Sequence, residues 1–106
     1  MGPGWRHLVL ACHEAVVAEF PAYQLCAVKQ KWGVLSFQAF PRAWRLGVEW
    51  TNAESARLDA LIDVHVARSE RTCERCGAEG SLREERWVHL VLCKACDEVV
   101  GENGQL

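Results

Sequence analysis

No apolar run in this 106-residue chain approaches the roughly 20 residues needed to cross a bilayer, so no membrane-spanning helix is expected. The opening Met1-Gly-Pro-Gly has no basic stretch followed by a continuous apolar core, which reads against a secretory leader and towards a soluble, reducing, cytoplasmic setting. Charge of one sign is scarce as well: 12 Lys and Arg stand against 14 Asp and Glu, a formal net charge of -2. General nucleic-acid binding relies on clustered cations that neutralise phosphates, and this balance is a poor footprint for it. There is no phosphate-cradling glycine loop and no Ser/His/Asp or Cys/His order with supporting context, so the chain reads as non-catalytic.

What the chain does have is apolar residues, half of the total, with five tryptophans and six cysteines. That suffices for one compact domain and not for two independent cores. Four of the cysteines form two Cys-x2-Cys pairs, Cys73-Glu-Arg-Cys76 and Cys93-Lys-Ala-Cys96, with sixteen residues between them. Each pair can wrap a tight turn that aims its thiolates at one point, and two such turns supply the four sulfurs of a tetrahedral zinc site. A set of four thiolates leaves no open coordination position, so the zinc is expected to be structural. Zn2+ on four thiolates adds -2, which takes the total charge to about -4. Two disulfides would need an oxidising compartment, and a thioredoxin-like pair would need a larger alternating fold. Iron in a rubredoxin-type site or an iron–sulfur cluster uses the same ligands and stays open on spacing alone. Gly77 suits the left-handed conformation after the first turn, and Gly80 offers a further bend. Residues 82–86 and 87–92 read as the arms of a hairpin between the pairs, with Trp87, His89 and Val91 on one face.

From the start of the chain, Trp5, Leu8, Val9, Cys12, Val16 and Phe20 recur at helical spacing, and Pro21 ends the pattern. His7, His13 and Glu14 on this helix read as partly exposed residues rather than as a site, since no third partner is near them in sequence. Residues 23–29 and 34–40 read as strands joined by Lys29-Gln-Lys-Trp-Gly33, where Gly33 can take a positive φ. A third strand is expected over 44–50, where Trp44, Leu46, Val48 and Trp50 alternate with Arg45, Gly47 and Glu49. Thr51-Asn-Ala-Glu54 is a capping-box pattern, and the helix it opens carries Leu58, Leu61, Ile62, His65, Val66 and Ser69 on one side. His65 reads as a core or boundary histidine. Trp5, Leu8, Phe20, Leu35, Phe37, Leu58, Leu61 and Ile62 are expected to form one core.

The fold class is therefore α+β: a small antiparallel β-meander packed with two amphipathic helices, plus a C-terminal four-cysteine module of zinc-ribbon or treble-clef-like type. A short helix after Cys96 would make the module treble-clef-like, and its absence would make it a ribbon. Residues 1–100 are expected as a single compact domain, with a 3–70 core and a fused 71–100 module, and 101–106 as a flexible tail.

The segment Val28-Lys-Gln-Lys-Trp-Gly-Val-Leu-Ser-Phe37, followed by an amphipathic helix, Cys-x2-Cys-Gly and a second Cys-x2-Cys, resembles a group of small uncharacterised bacterial and phage proteins. Their recurring motif is approximately Val/Ile-Lys-x-Lys-Phe-Gly-Gly-Leu-Arg-Phe. The resemblance spans roughly residues 3–98 and departs at Trp32, Val34 and Ser36. It implies the architecture and an origin in phage or mobile elements, and carries no activity to transfer.

Outside the cysteines, Lys29, Lys31 and Trp32 are the partner-binding candidates, because an indole beside two lysines can anchor a protein interface or stack on a base. Against this, Trp32 could pack internally with the lysines solvated. Arg42 and Arg45 could extend a basic strip from these lysines. The balance favours a protein partner for an inhibitor, immunity or adaptor type of protein. The alternative is a nucleic-acid-binding zinc-ribbon protein, which the acidic balance disfavours.

Overall fold

The computed structural model describes residues 2–43, 45 and 49–106. It is an α+β chain with two antiparallel two-stranded sheets and three α-helices among the described residues. A 3₁₀ turn at Pro3–Trp5 leads into α1, Arg6–Glu19. Leu8, Cys12 and Val16, spaced by four, are its buried line. Its last turn closes with Phe20 N–H donating to Val16 O at 2.7 Å, just before Pro21.

β1, Gln24–Lys31, pairs with β2, Val34–Phe40, in antiparallel register with a bulge between Leu25 and Ala27. Lys31 faces Val34, so the loop is only Trp32-Gly33, and both residues take positive φ, 53° and 80°. That is the backbone of a tight primed turn, which matches the twist of the strands. The expected five-residue connection is thereby corrected. Lys29 and Lys31 belong to β1 and lie two residues apart on one face, because the turn itself needs only two residues. The opposite face carries Val28 and Gln30 across from the buried Phe37 and Leu35.

α2 covers Asn52–Ser69 and starts with the complete capping box: Glu54 N–H donates to Thr51 Oγ1 at 3.1 Å and Thr51 N–H to Glu54 Oε1 at 3.0 Å. Arg42 donates to the same carboxylate at 3.0 Å and to Glu49 O at 2.7 Å, so its guanidinium serves the helix start rather than a free basic strip. The buried line is Leu58, Ile62, His65 and Ser69. The third strand expected over 44–50 lies largely outside the described residues, at Trp44, Leu46, Gly47 and Val48. Trp50 is described, stacked on Phe40 with ring centroids 5.0 Å apart.

The expected single core is divided in two. Cys12, Val16, Phe37, Leu58 and Ile62 pack together, with Phe20 and Leu61 only partly buried around them. Trp5, Leu8 and Leu35 instead pack with Val91, which belongs to the cysteine module. The reason is geometric: the start of α1 and the tip of the hairpin extend past α2 and meet the module. The long axis reaches 50 Å against 23 and 18 Å for the others, and the radius of gyration of 15.5 Å exceeds the ~13 Å of a compact chain of this length.

Candidate metal centre

β3, Ser81–Arg83, and β4, Leu90–Leu92, pair antiparallel, and α3, Lys94–Val99, follows Cys93 directly. The hairpin arms are thus shorter than 82–86 and 87–92. Residues 84–89 form the loop, since Arg86 turns inward to α3 instead of continuing a strand. Arg86 is buried and donates to Asp97 Oδ1 at 2.8 Å and to the carbonyls of Asp97, Val100 and Gly101 at 2.7 to 2.9 Å. Carbonyls at a helix C-terminus lack partners within the helix, and here one guanidinium supplies them.

The first cysteine turn is fixed by Gly77 N–H donating to Cys73 O at 2.9 Å and Cys73 N–H to Ala78 O at 2.7 Å. Gly77 has φ 83°, the left-handed conformation expected there. The second turn uses the start of α3: Cys93 Sγ accepts from Cys96 N–H at 3.4 Å. The sulfurs of Cys73, Cys76, Cys93 and Cys96 all lie within 4.8 Å of one another, and Cys76 Sγ is 3.7 Å from Cys93 Sγ. A tetrahedron with metal–sulfur bonds of ~2.3 Å has edges of ~3.8 Å, so the donor set fits one tetrahedral ion. A four-iron cluster spreads its thiolates around a cube and needs them wider apart. Cys73 and Cys96 are buried, Cys93 is half-buried and Cys76 is exposed.

Electrostatics favour a cation at this point. Burial pushes the Cys73 thiol up, but the amides of Cys93, Cys76 and Arg75 outweigh it and bring the thiol to about 6. Arg75, whose Nη1 donates to Cys96 Sγ at 3.6 Å, favours the Cys96 thiolate, yet burial and the neighbouring cysteines raise that thiol to about 12. The amides therefore favour the thiolate at Cys73, and a bound metal ion would displace the protons of the other sulfurs. Cys12 is different: burial alone raises it to about 11, as for an inert core thiol. His65 is a core histidine with Nδ1 3.0 Å from Leu61 O.

Sequence reasoning missed how the module is joined to the core. Glu74 is fully buried within the first cysteine turn. Its N–H donates to Val91 O at 2.8 Å, its Oε2 accepts from Val91 N–H at 2.7 Å, and its carbonyl accepts from Gly4 N–H at 2.8 Å. Burial raises this carboxyl above its ordinary range against the pull of the Val91 amide. Trp5 is also fully buried and donates from Nε1 to Thr72 O at 2.8 Å. A Cβ on Gly4 would fall 2.1 Å from Cys73 O, so only glycine permits this approach. The Gly4-Trp5 pair was the available signal.

Lys29, Lys31 and Trp32 lie together at the closed end of the first hairpin and are not part of the sulfur cluster. Both lysines are exposed, and Trp32 is 76% exposed, with its ring edge-on to His89 at 5.7 Å between centroids. Trp87, at 89%, is the second exposed indole among the described residues and comes from the loop between the two cysteine pairs. It reads from sequence as a hairpin residue, and nothing in its spacing marks it otherwise. Arg45 is exposed. The last residues turn back, with Gly104 N–H donating to Gly101 O at 3.1 Å. No helix among the described residues is long and apolar enough to cross a membrane. No family model, no curated protein and no solved structure matches the chain.

Proposed function

We propose that this chain is a non-catalytic, zinc-stabilised module that binds a partner protein through the surface around Lys29, Lys31 and Trp32. The observation that carries this reading is the 76% exposure of Trp32 on a left-handed backbone, φ 53°. Exposing an indole forfeits apolar burial, and a non-glycine residue in that conformation costs on the order of 1–2 kcal/mol. The fold gains neither from Trp32, whereas an interface gains a rigid anchor.

Zinc is the metal of choice for four sulfurs at tetrahedral separation, and its role is structural because no ligand position is free. Residues 73, 76, 93 and 96 would hold it. Helix α3 after the second pair supports a treble-clef-like form of the module. Residues 1–100 are read as one domain, supported by the bonds from Gly4 and Trp5 to the first cysteine turn. The free thiols suit a reducing cytoplasm. The small size, neutral-to-acidic charge and surplus tryptophans support an inhibitor, immunity or adaptor role, and the resemblance to small phage and bacterial proteins supports only its origin in mobile elements.

The test is affinity capture from host cells with nuclease-treated lysate, comparing the native chain with Trp32→Ala. A protein retained by the first and lost by the second, with the melting temperature unchanged, is the expected result. Retention abolished by nuclease would instead support the nucleic-acid reading.

A further inference from the structure

Beside the hairpin tip lies an open cleft of about 410 Å3 lined by Gln30, Lys31, Trp32, Trp87, Val88 and His89. Its walls come from both halves of the chain: the end of β1 and the loop between the cysteine pairs. Gln30 ties them, donating from Nε2 to His89 O at 2.7 Å. No acidic side chain lines the cleft, and Lys29 stands one residue pair further along β1 from Lys31.

Among the described residues, the main chain next to it is open too. In a hairpin closed by two residues, the flanking pair exchanges its hydrogen bonds, and alternate pairs follow. Lys31 and Lys29 therefore bond to Val34 and Ser36, which leaves the N–H and C=O of Gln30 and Val28 pointing off the outer edge of β1. On β2 the equivalent outward amide, that of Leu35, donates to Ser69 Oγ at 3.1 Å, so α2 covers that edge. Among the described residues, no main-chain hydrogen bond covers Val28 or Gln30 on the β1 side. An open edge is a template for a further strand.

We infer that the edge of β1 and the Trp32–Trp87 cleft are one docking surface, which takes an extended acidic segment of a partner protein as an added strand. An apolar or aromatic side chain of that segment occupies the cleft, and its carboxylates meet Lys29 and Lys31. The inference rests on the protein-binding reading above and specifies how the partner is held. A nucleic-acid strand suits the surface less well. The arginines nearest in sequence to Trp87 are engaged internally, Arg83 with Leu92 O and Arg86 with α3, so two lysines remain. Two phosphate contacts give a salt slope of only about -1.4, from a chain of net charge -2.

Selection of displayed random ten-residue peptides on the zinc-loaded full chain tests this, with oligo-dT as the nucleic-acid probe. The expected peptides carry Asp or Glu next to an apolar residue. A synthetic copy should bind at least tenfold more weakly to Trp87→Ala and to the double variant Lys29→Glu/Lys31→Glu, each with its melting temperature retained. Its binding should slow hydrogen exchange at the Val28 and Gln30 amides at least tenfold, and leave the Lys29 and Lys31 amides, already bonded to β2, unchanged. Failure to enrich any peptide, binding indifferent to Trp87→Ala, unprotected Val28 and Gln30 amides, or oligo-dT displacing the peptide would overturn the inference. If the cellular partner still depends on Trp32 while those amides stay unprotected, strand addition alone fails. If no protein depends on Trp32, the underlying reading fails with it.

Discussion

The two halves of this molecule solve the same stability problem in different ways. Around α1, α2 and the first hairpin, apolar side chains are numerous enough to close on each other, and Cys12, Val16, Phe37, Leu58 and Ile62 form one buried cluster. The cysteine module has three-residue strands, a six-residue helix and a small cluster of Leu90, Leu92 and Val100 around its cysteines. Isolated pieces of that size are marginal in water, and buried polar residues, Glu74 and Arg86, fill places that apolar ones fill elsewhere. A metal ion held by the four sulfurs would supply what such a small core cannot.

Breaking the metal centre should therefore have the largest effect. Cys76→Ser, or chelation, is expected to abolish the cooperative thermal transition of the module, because structural zinc contributes on the order of 10 kcal/mol to folding in small sites. Calorimetry with and without chelator reads this directly. In the other half, Leu58→Ala should cost about 2–5 kcal/mol by denaturant unfolding, as for a fully enclosed aliphatic side chain. Leu61, which periodicity places in the core but which is only partly buried, should lose less on the same change.

The junction sharpens the comparison. Gly4→Ala puts a methyl group against the backbone of Cys73, Glu74 and Gly77, and should cost about 1–3 kcal/mol while weakening zinc binding measured by competition with a chelator. If it lowers core stability alone, the two halves are less coupled than the Gly4 and Trp5 contacts imply. Thr51→Ala, which removes one half of the capping box, should cost about 1 kcal/mol. The smallest change has the opposite sign: Trp32→Asn should raise stability by up to about 1 kcal/mol, because Asn tolerates the left-handed backbone at the hairpin tip.

Local patterns in the sequence were informative where the responsible residues lie close together. The capping box of Thr51 and Glu54, the left-handed Gly77 and Gly33, and both cysteine turns follow from residues at most a few positions apart. What could not be read was set by distant segments. Trp5 fits a helix face equally well whether it meets α2 or Thr72, and only the tertiary arrangement selects the latter. Arg86 and Glu74 look like surface charges in a polar stretch, and become buried because carbonyls of α3 and the amide of Val91 need partners. Hairpin length misled for a similar reason: Gly33 signals a turn, but a tryptophan at φ 53° is a poor intrinsic choice, so the tight two-residue loop is not what local preference selects.

X-ray absorption at the zinc edge of protein purified without chelator tests the central claim most directly. One zinc per chain, surrounded by four sulfurs at ~2.3 Å, is the predicted result. A protein without zinc, or a zinc shell containing nitrogen or oxygen in place of one of the four sulfurs, would contradict it.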